Sequence, residues 1–221
     1  MKKLLLFGLV AFLLIGLSSM AFADFTTDNQ AWVSLQDGNK SSFDVYGATG
    51  TAGILNGAYD FDGVDDRVIT STPLIGTLDS DWSFSLWFNS DTAGVFQSIF
   101  SEGGAGANPT IALRKTNTNV LDVVIRDDSG DLNTATGTTP IVLGTNYSVI
   151  VTYESTTDTV RLYLNNVLEA SATNVNWNTV TMTLNAIGVN YQGGSYSNYF
   201  DGSIDELKIF DKNLNRKKRI I

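Results

Sequence analysis

The 221 residues include no cysteine and no histidine. Their absence excludes disulfide staples, thiol nucleophiles, Cys/His zinc sites and every Ser-His or Cys-His catalytic pairing. Proline is scarce, at 3 residues, and glutamate scarcer than its usual share, at 4. With few helix formers, no segment shows an amphipathic helical period. Basic residues are also few: 14 Lys and Arg stand against 23 Asp and Glu, for a net charge of −9. That balance argues against nucleic acid as a partner, because phosphate backbones need clustered cations. Only metal-assisted chemistry, carboxylate chemistry or simple binding remain open.

What is abundant points to a class. There are 24 Thr, 20 Gly and 19 Asn. Thr with Val, Ile and aromatic residues suits pleated, half-buried surfaces, and Gly, Asn and Asp punctuate them. Period-two alternation recurs along the chain. Trp82, Phe84, Leu86 and Phe88 share one face, as do Tyr147, Val149, Val151 and Tyr153. Val160, Leu162 and Leu164 form a third set, Leu121, Val123 and Ile125 a fourth, and Met182, Leu184, Ala186 and Gly188 a weaker fifth. Asn165-Asn166 reads as a two-residue hairpin turn, and Gly103 to Asn108 as a long loop. Many short strands separated by turns predict an all-β, antiparallel two-sheet sandwich.

The first 23 residues read as a secretory signal peptide. Lys2-Lys3 is followed by an apolar stretch from Leu4 to Leu17 and by the small-x-small pattern Ala21-Phe22-Ala23. Cleavage is expected before Asp24, leaving a secreted, periplasmic or surface-associated protein with no transmembrane segment; an uncleaved anchor is the alternative reading of the same run. The expected domains are therefore 1–23 signal, 24–211 sandwich and 212–221 tail. From Asp24 to Asp211 there are 23 acidic and 7 basic side chains, a charge of −16, whereas the tail carries +5. The Arg216-Lys217-Lys218-Arg219 run fits a solvated end, a tail folded back on the acidic body, a contact with an anionic surface or a truncated reading frame.

Three segments in order carry a family pattern. They are Ala58-Tyr59-Asp60-Phe61-Asp62-Gly63 to Val68, then Phe84 to Phe88 with Tyr147 to Tyr153 and Val160 to Asn166, and last Phe200-Asp201-Gly202-Ser203-Ile204-Asp205 to Phe210. Together they resemble the laminin-G-like domains of the concanavalin A-like lectin/glucanase superfamily, from about Trp32 to Leu214. The resemblance implies a jelly-roll sandwich that binds carbohydrate, glycoconjugate or protein, often with a structural calcium ion. It also implies that the first and third segments lie close together.

Asp60, Asp62, Asp65 and Asp66 crowd four like charges into seven residues. Backbone N–H donors, Arg67 or a hard cation would offset the repulsion. Asp205 would share a face with Leu207 and Ile209 under regular alternation, unless a β-bulge near Gly202 turns it outward. Asp62, Asp65 and Asp205 are thus the candidate Ca2+ ligands, with ordinary turn chemistry as the competing role. For a ligand, the Tyr191, Tyr196 and Tyr199 segment offers rings among Asn, Gln, Ser and Gly; Trp177 and Trp87 are further candidates, and covering strand edges is the plainer role. No catalytic residue is assigned. The Glu-x-Asp-x-Glu pattern of sugar-cleaving relatives is absent, and adjacent Asp205 and Glu206 would point to opposite faces of a strand. The leading expectation is a non-catalytic carbohydrate-binding module at a cell or particle surface. A structural or adhesion protein that binds other proteins is the alternative, ahead of a glycan-active enzyme.

Overall fold

The structure is a computed structural model. It describes residues 30–32, 43–54, 57–71, 74–75, 80–104, 109–126, 132–175, 182–192, 194–210 and 213–214. The chain divides into units Met1–Gln30 and Ala31–Ile221, and the architecture that follows, Gln30 of the first strand apart, belongs to the second. Residues 1–23, where a signal is expected, and most of the basic tail lie outside the described residues. Among the described residues there is no helix, and none is long and apolar enough to cross a membrane.

The early strands are β1 (Gln30–Trp32), β2 (Asp44–Tyr46), β3 (Thr49–Thr51), β4 (Ala58–Asp62), β5 (Arg67–Thr70) and β6 (Trp82–Ser90). The middle of the chain supplies β7 (Gln97–Gly104), β8 (Pro109–Lys115), β9 (Leu121–Arg126), β10 (Leu132–Thr136), β11 (Tyr147–Glu154), β12 (Thr159–Leu164) and β13 (Val167–Ala172). The last four are β14 (Met182–Ile187), β15 (Asn190–Gln192), β16 (Ser195–Ser197) and β17 (Asp201–Phe210). One antiparallel sheet runs β13-β12-β11-β6-β17-β4-β3 and the other β10-β9-β8-β7-β14-β5-β2; β15 and β16 form a separate ribbon. The expected two-sheet sandwich is what the chain builds.

The alternating sets explain the layering. Trp82, Phe84, Leu86 and Phe88 on β6 are buried, as are Tyr147, Val149, Val151 and Tyr153 on β11, which pairs with β6 in register. Val160, Leu162 and Leu164, and Leu121, Val123 and Ile125, join the same core. Rings interlock across it: Phe84 of one sheet meets Phe100 of the other at 4.9 Å, and Phe200 packs edge-on to Phe61 and Phe88. Each such ring removed from water contributes about 1.5–3 kcal/mol. Asn165 and Asn166 take φ of 48° and 66°, the primed turn expected between the paired Leu164 and Val167.

Two readings need correction. The Leu184-Ala186-Gly188 face is not the core face of β14. Ile187 pairs with core residues Val68 and Phe100, and Ala186 lies on the other side beside Ser101. Alternation could not decide this, because the strand is covered on both faces: Tyr191 of the ribbon donates its N–H to Ser101 Oγ. The loop expected from Gly103 begins later, since Gly103 and Gly104 still belong to β7. Packing also continues past Asp211: Leu214 is buried and its N–H bonds Ser83 Oγ at 2.9 Å.

Candidate functional site

The aspartate-rich turn links the two sheets, from the end of β4 to the start of β5. Asp62 Oδ1 accepts from the Val64 N–H at 2.9 Å and the Asp65 N–H at 3.3 Å. These donors, Val64 first, hold the Asp62 carboxyl below its usual range. Asp66 Oδ2 accepts the Asp62 N–H at 3.0 Å. Asp66 is only 7% exposed, and burial pushes its carboxyl up, with the charges of Asp62, Asp65 and Asp60 adding to the rise. Gly47 makes room for it: with φ of +74°, a Cβ there would collide with Asp66 Oδ1.

Asp62, Asp65 and Asp66 each offer one oxygen within 4.8 Å of the others. That spacing suits the first coordination shell of a calcium ion, whose oxygens stand about 2.3–2.6 Å from the metal. The like charges that add to the effect of burial on Asp66 are what a hard cation would relieve, so these three carboxylates could hold Ca2+. Asp205 does not join them. On β17 it is Asp201 that pairs with Asp62, and Asp205 sits four residues further along. Its Oδ2 instead accepts the Ile54 N–H at 2.6 Å. The repulsion on this side has a protein counter-charge as well: the Lys115 ammonium bonds Thr92 O at 2.6 Å, and Thr92 Oγ1 in turn donates to Asp201. Burial pulls the Lys115 ammonium down while Asp201 holds it up.

Directly after this turn, Arg67 leads into an aromatic ledge on the outer face of the second sheet. Tyr46 and Arg67 are register partners on β2 and β5. The Arg67 guanidinium lies 4.2 Å from the centre of the Tyr46 ring and 4.7 Å from that of Tyr196. Tyr196 meets Tyr191 across the β15–β16 ribbon, centroids 5.3 Å apart. Arg67 NH1 donates to Asp65 O at 2.9 Å, which ties the ledge to the turn. Each cation–ring contact contributes about 0.5–1 kcal/mol at such an exposed site and fixes the rings' tilt.

Tyr46, 41% exposed, also borders a cleft of about 690 Å³ with Phe43, Val45, Ala48, Gly50 and Tyr59. That volume falls in the range of small-molecule sites. Tyr199 is half-buried at the foot of the ribbon. Trp177 lies outside the described residues. Trp87 is on a different surface: it pairs with Ser148 and Asp205 on the outer face of the first sheet. Tyr191 and Tyr196, both singled out in the sequence, meet across the ribbon, whereas Tyr46 and its cleft neighbours were not singled out there. Their only signal is the pairing of β2 with β5, some twenty residues apart in the chain.

A family model described as the concanavalin A-like lectin/glucanases superfamily, laminin G type, matches residues 62–218. Among solved structures, the binding domain of botulinum neurotoxin serotype D has a TM-score of 0.63 at 14% identity, covering 80% of this chain and 44% of that one. The binding domain of Paraclostridial Mosquitocidal Protein 1 gives 0.65 at 13%, covering 81% and 46%. The binding domain of botulinum neurotoxin DC in complex with SialylT gives 0.62 at 12%, covering 80% and 44%. This chain therefore spans less than half the length of each. At these identities the likeness shows the fold alone. No curated protein matches the chain.

Proposed function

The chain belongs to the laminin-G-like family of the concanavalin A-like lectin/glucanases superfamily, and on that premise we propose that it is an exported, non-catalytic module that binds carbohydrate or glycoconjugate at a cell or particle surface. The observation that carries this reading is the ledge of Tyr46, Arg67, Tyr196 and Tyr191, which shares Tyr46 with the 690 Å³ cleft. Sugars stack their C–H faces on exposed rings, and neighbouring polar groups fix their orientation. The structural neighbours named as binding domains, one of them solved with SialylT, support the same class of function. The export part rests on the N-terminal signal pattern.

Catalysis would need two carboxyls at a set separation facing a cleft. Among the described residues lining this one, Asp44 is the only acid. The four glutamates are occupied elsewhere. Glu154 pairs with Arg161 and Glu206 with Lys208. Glu169 accepts the Thr138 and Thr139 N–H groups, and Glu102 accepts that of Ile75.

A glycan array followed by calorimetry tests the reading. The expected result is saturable binding to a subset of glycans, weakened about tenfold by Tyr196→Ala, the worth of roughly one stacked ring. Silence across the array would transfer the ledge to protein recognition. The aspartate turn is proposed to hold Ca2+, with Asp62, Asp65 and Asp66 as its ligands in place of the set that included Asp205. Bound there, the ion would neutralise the turn. Millimolar Ca2+ should then raise the melting temperature by several degrees, and Asp66→Asn should abolish the increment. Identical melting with Ca2+ and with chelator would remove the metal.

A further inference from the structure

We propose a second, smaller site on the outer face of the first sheet, a cavity that takes the acetamido group of an N-acetylated sugar. The proposal rests on the glycan-binding reading but uses the first sheet, whereas the tyrosine ledge lies on the second. It begins with an irregularity in β17. Trp87 pairs with Asp205 and Ser85 with Lys208, so β17 spends three residues where β6 spends two. The extra residue is Glu206, with φ of +52°. With this bulge Ile204, Leu207 and Ile209 all reach the core, and Ser203 and Asp205 are left on the opposite face with Trp87.

Against this face lies a cavity of about 70 Å³ with a divided lining. Ala52, Ala58 and Trp87 offer carbon surface, and Asn146 and Ser203 offer polar groups. Asn146 Oδ1 accepts from Asn89 Nδ2 at 3.0 Å, which leaves the Asn146 Nδ2 to donate. Asn89 is also the register partner of Ser203, so both polar groups adjoin it. The Ser203 hydroxyl oxygen carries two lone pairs and can accept. The loop that walls the cavity is pinned in place, because the Ile54 N–H donates to Asp205 Oδ2 at 2.6 Å. It lies this close only with glycine at position 53: a Cβ there would stand 2.4 Å from Asp205 Oδ2 and 2.6 Å from the Gly57 backbone.

Size and chemistry select the group. A volume of 70 Å³ is about two shares of liquid water at ~30 Å³ each, enough for a few heavy atoms but not for a sugar ring. An acetamido group has that size and the same division. Its methyl meets the carbon surface, its carbonyl accepts from the Asn146 amide, and its N–H donates to the Ser203 oxygen. Across a trans amide the carbonyl and the N–H point in opposite directions, so one planar group reaches a donor and an acceptor on two sides. A sugar hydroxyl is too small to cover Ala52, Ala58 and Trp87, which would stay against water. An unacetylated amine likewise brings no carbon for them.

The test uses the tetramer of N-acetylglucosamine, its fully de-acetylated counterpart and the glucose tetramer of the same linkage, with calorimetry and the NMR signal of the Trp87 indole N–H. The acetylated tetramer is expected to bind and to shift the Trp87 signal. The other two should bind at least about tenfold more weakly and leave the indole unmoved. Ala52→Leu fills the cavity and should erase the advantage of the acetylated tetramer. Asn146→Ala should weaken its binding about tenfold, the worth of one hydrogen bond. Both residues are exposed, so the two variants are expected to melt with the wild type. Equal binding of the acetylated and de-acetylated tetramers, no binding of the acetylated tetramer at millimolar concentration, or an affinity indifferent to both variants would each overturn the proposal. Failure of the ledge reading is distinguishable: Tyr196→Ala would then leave every glycan unaffected while the Ala52 dependence persisted.

Discussion

Gly202→Ala is expected to cost the fold about 3–5 kcal/mol, the sum of backbone strain and a steric clash. Gly202 sits in β17, between Phe61 of β4 and Ser90 of β6, with φ of +131°. Side chains rarely adopt that conformation. A Cβ there would also stand 2.1 Å from the Asn89 carbonyl oxygen, a backbone atom locked in the neighbouring strand. Neither problem can be relieved without parting two strands in the middle of a sheet. Urea denaturation should show the midpoint falling by roughly 1–3 M, or no cooperative transition at all. Gly94 supplies the comparison: its φ is +77° but nothing lies within 4 Å of a Cβ. Gly94→Ala should cost only the strain, about 1–2 kcal/mol. Equal losses at the two sites would mean that the contact with Asn89 is unimportant.

Stability should fall as pH rises from about 5 to 8, and Glu102 should be the cause. This residue is fully buried on the inner face of the sandwich, between Ile111 of β8 and Asn185 of β14. One oxygen accepts the Ile75 N–H at 3.0 Å, and the other has no hydrogen-bond partner among the described residues. Burial pushes its carboxyl from 4.5 up to about 8. The unfolded chain releases this proton near pH 4.5, whereas the folded chain keeps it until about pH 8. Across that window the folded state holds the extra proton, so each rise in pH favours unfolding. The contribution is whole below pH 4.5 and gone above 8, with an upper limit on the order of 4–5 kcal/mol. Asp62 and Glu154, with carboxyls held low, act in the opposite sense and lose stability as the solution becomes acid. The measurement is therefore a difference: urea melts of wild type and Glu102→Gln at several pH values. The variant should be the more stable at pH 8, and the gap should close toward pH 5. Parallel curves would show that Glu102 carries no shifted proton.

Where alternation was strict the fold was readable. The β6 and β11 sets have one face committed to the core, so period two identified both the strand and its inward side. It failed at β14, where the ribbon covers the second face and Ala186 is buried as deeply as Ile187. The aspartate turn was legible as chemistry because four carboxylates in seven residues demand an answer in any fold. Asp205 was not, because its direction depends on one inserted residue at Glu206, and a bulge has no compositional signature there. Tyr46 and Glu102 were invisible for a related reason. Each is an isolated residue whose meaning comes from a partner strand far along the chain.

The position of β17 has a consequence for the newborn chain. The strand that fills the middle of the first sheet, between β6 and β4, spans residues 201–210 of 221. Until it emerges from the ribosome, those two neighbours face an empty slot and the hydrophobic layer cannot shut. Folding is thereby postponed until residues 201–210 have been made, as topologies built on distant pairings require. On the export reading proposed above, a polypeptide that stays uncommitted that late would still be extended on reaching a narrow translocation pore.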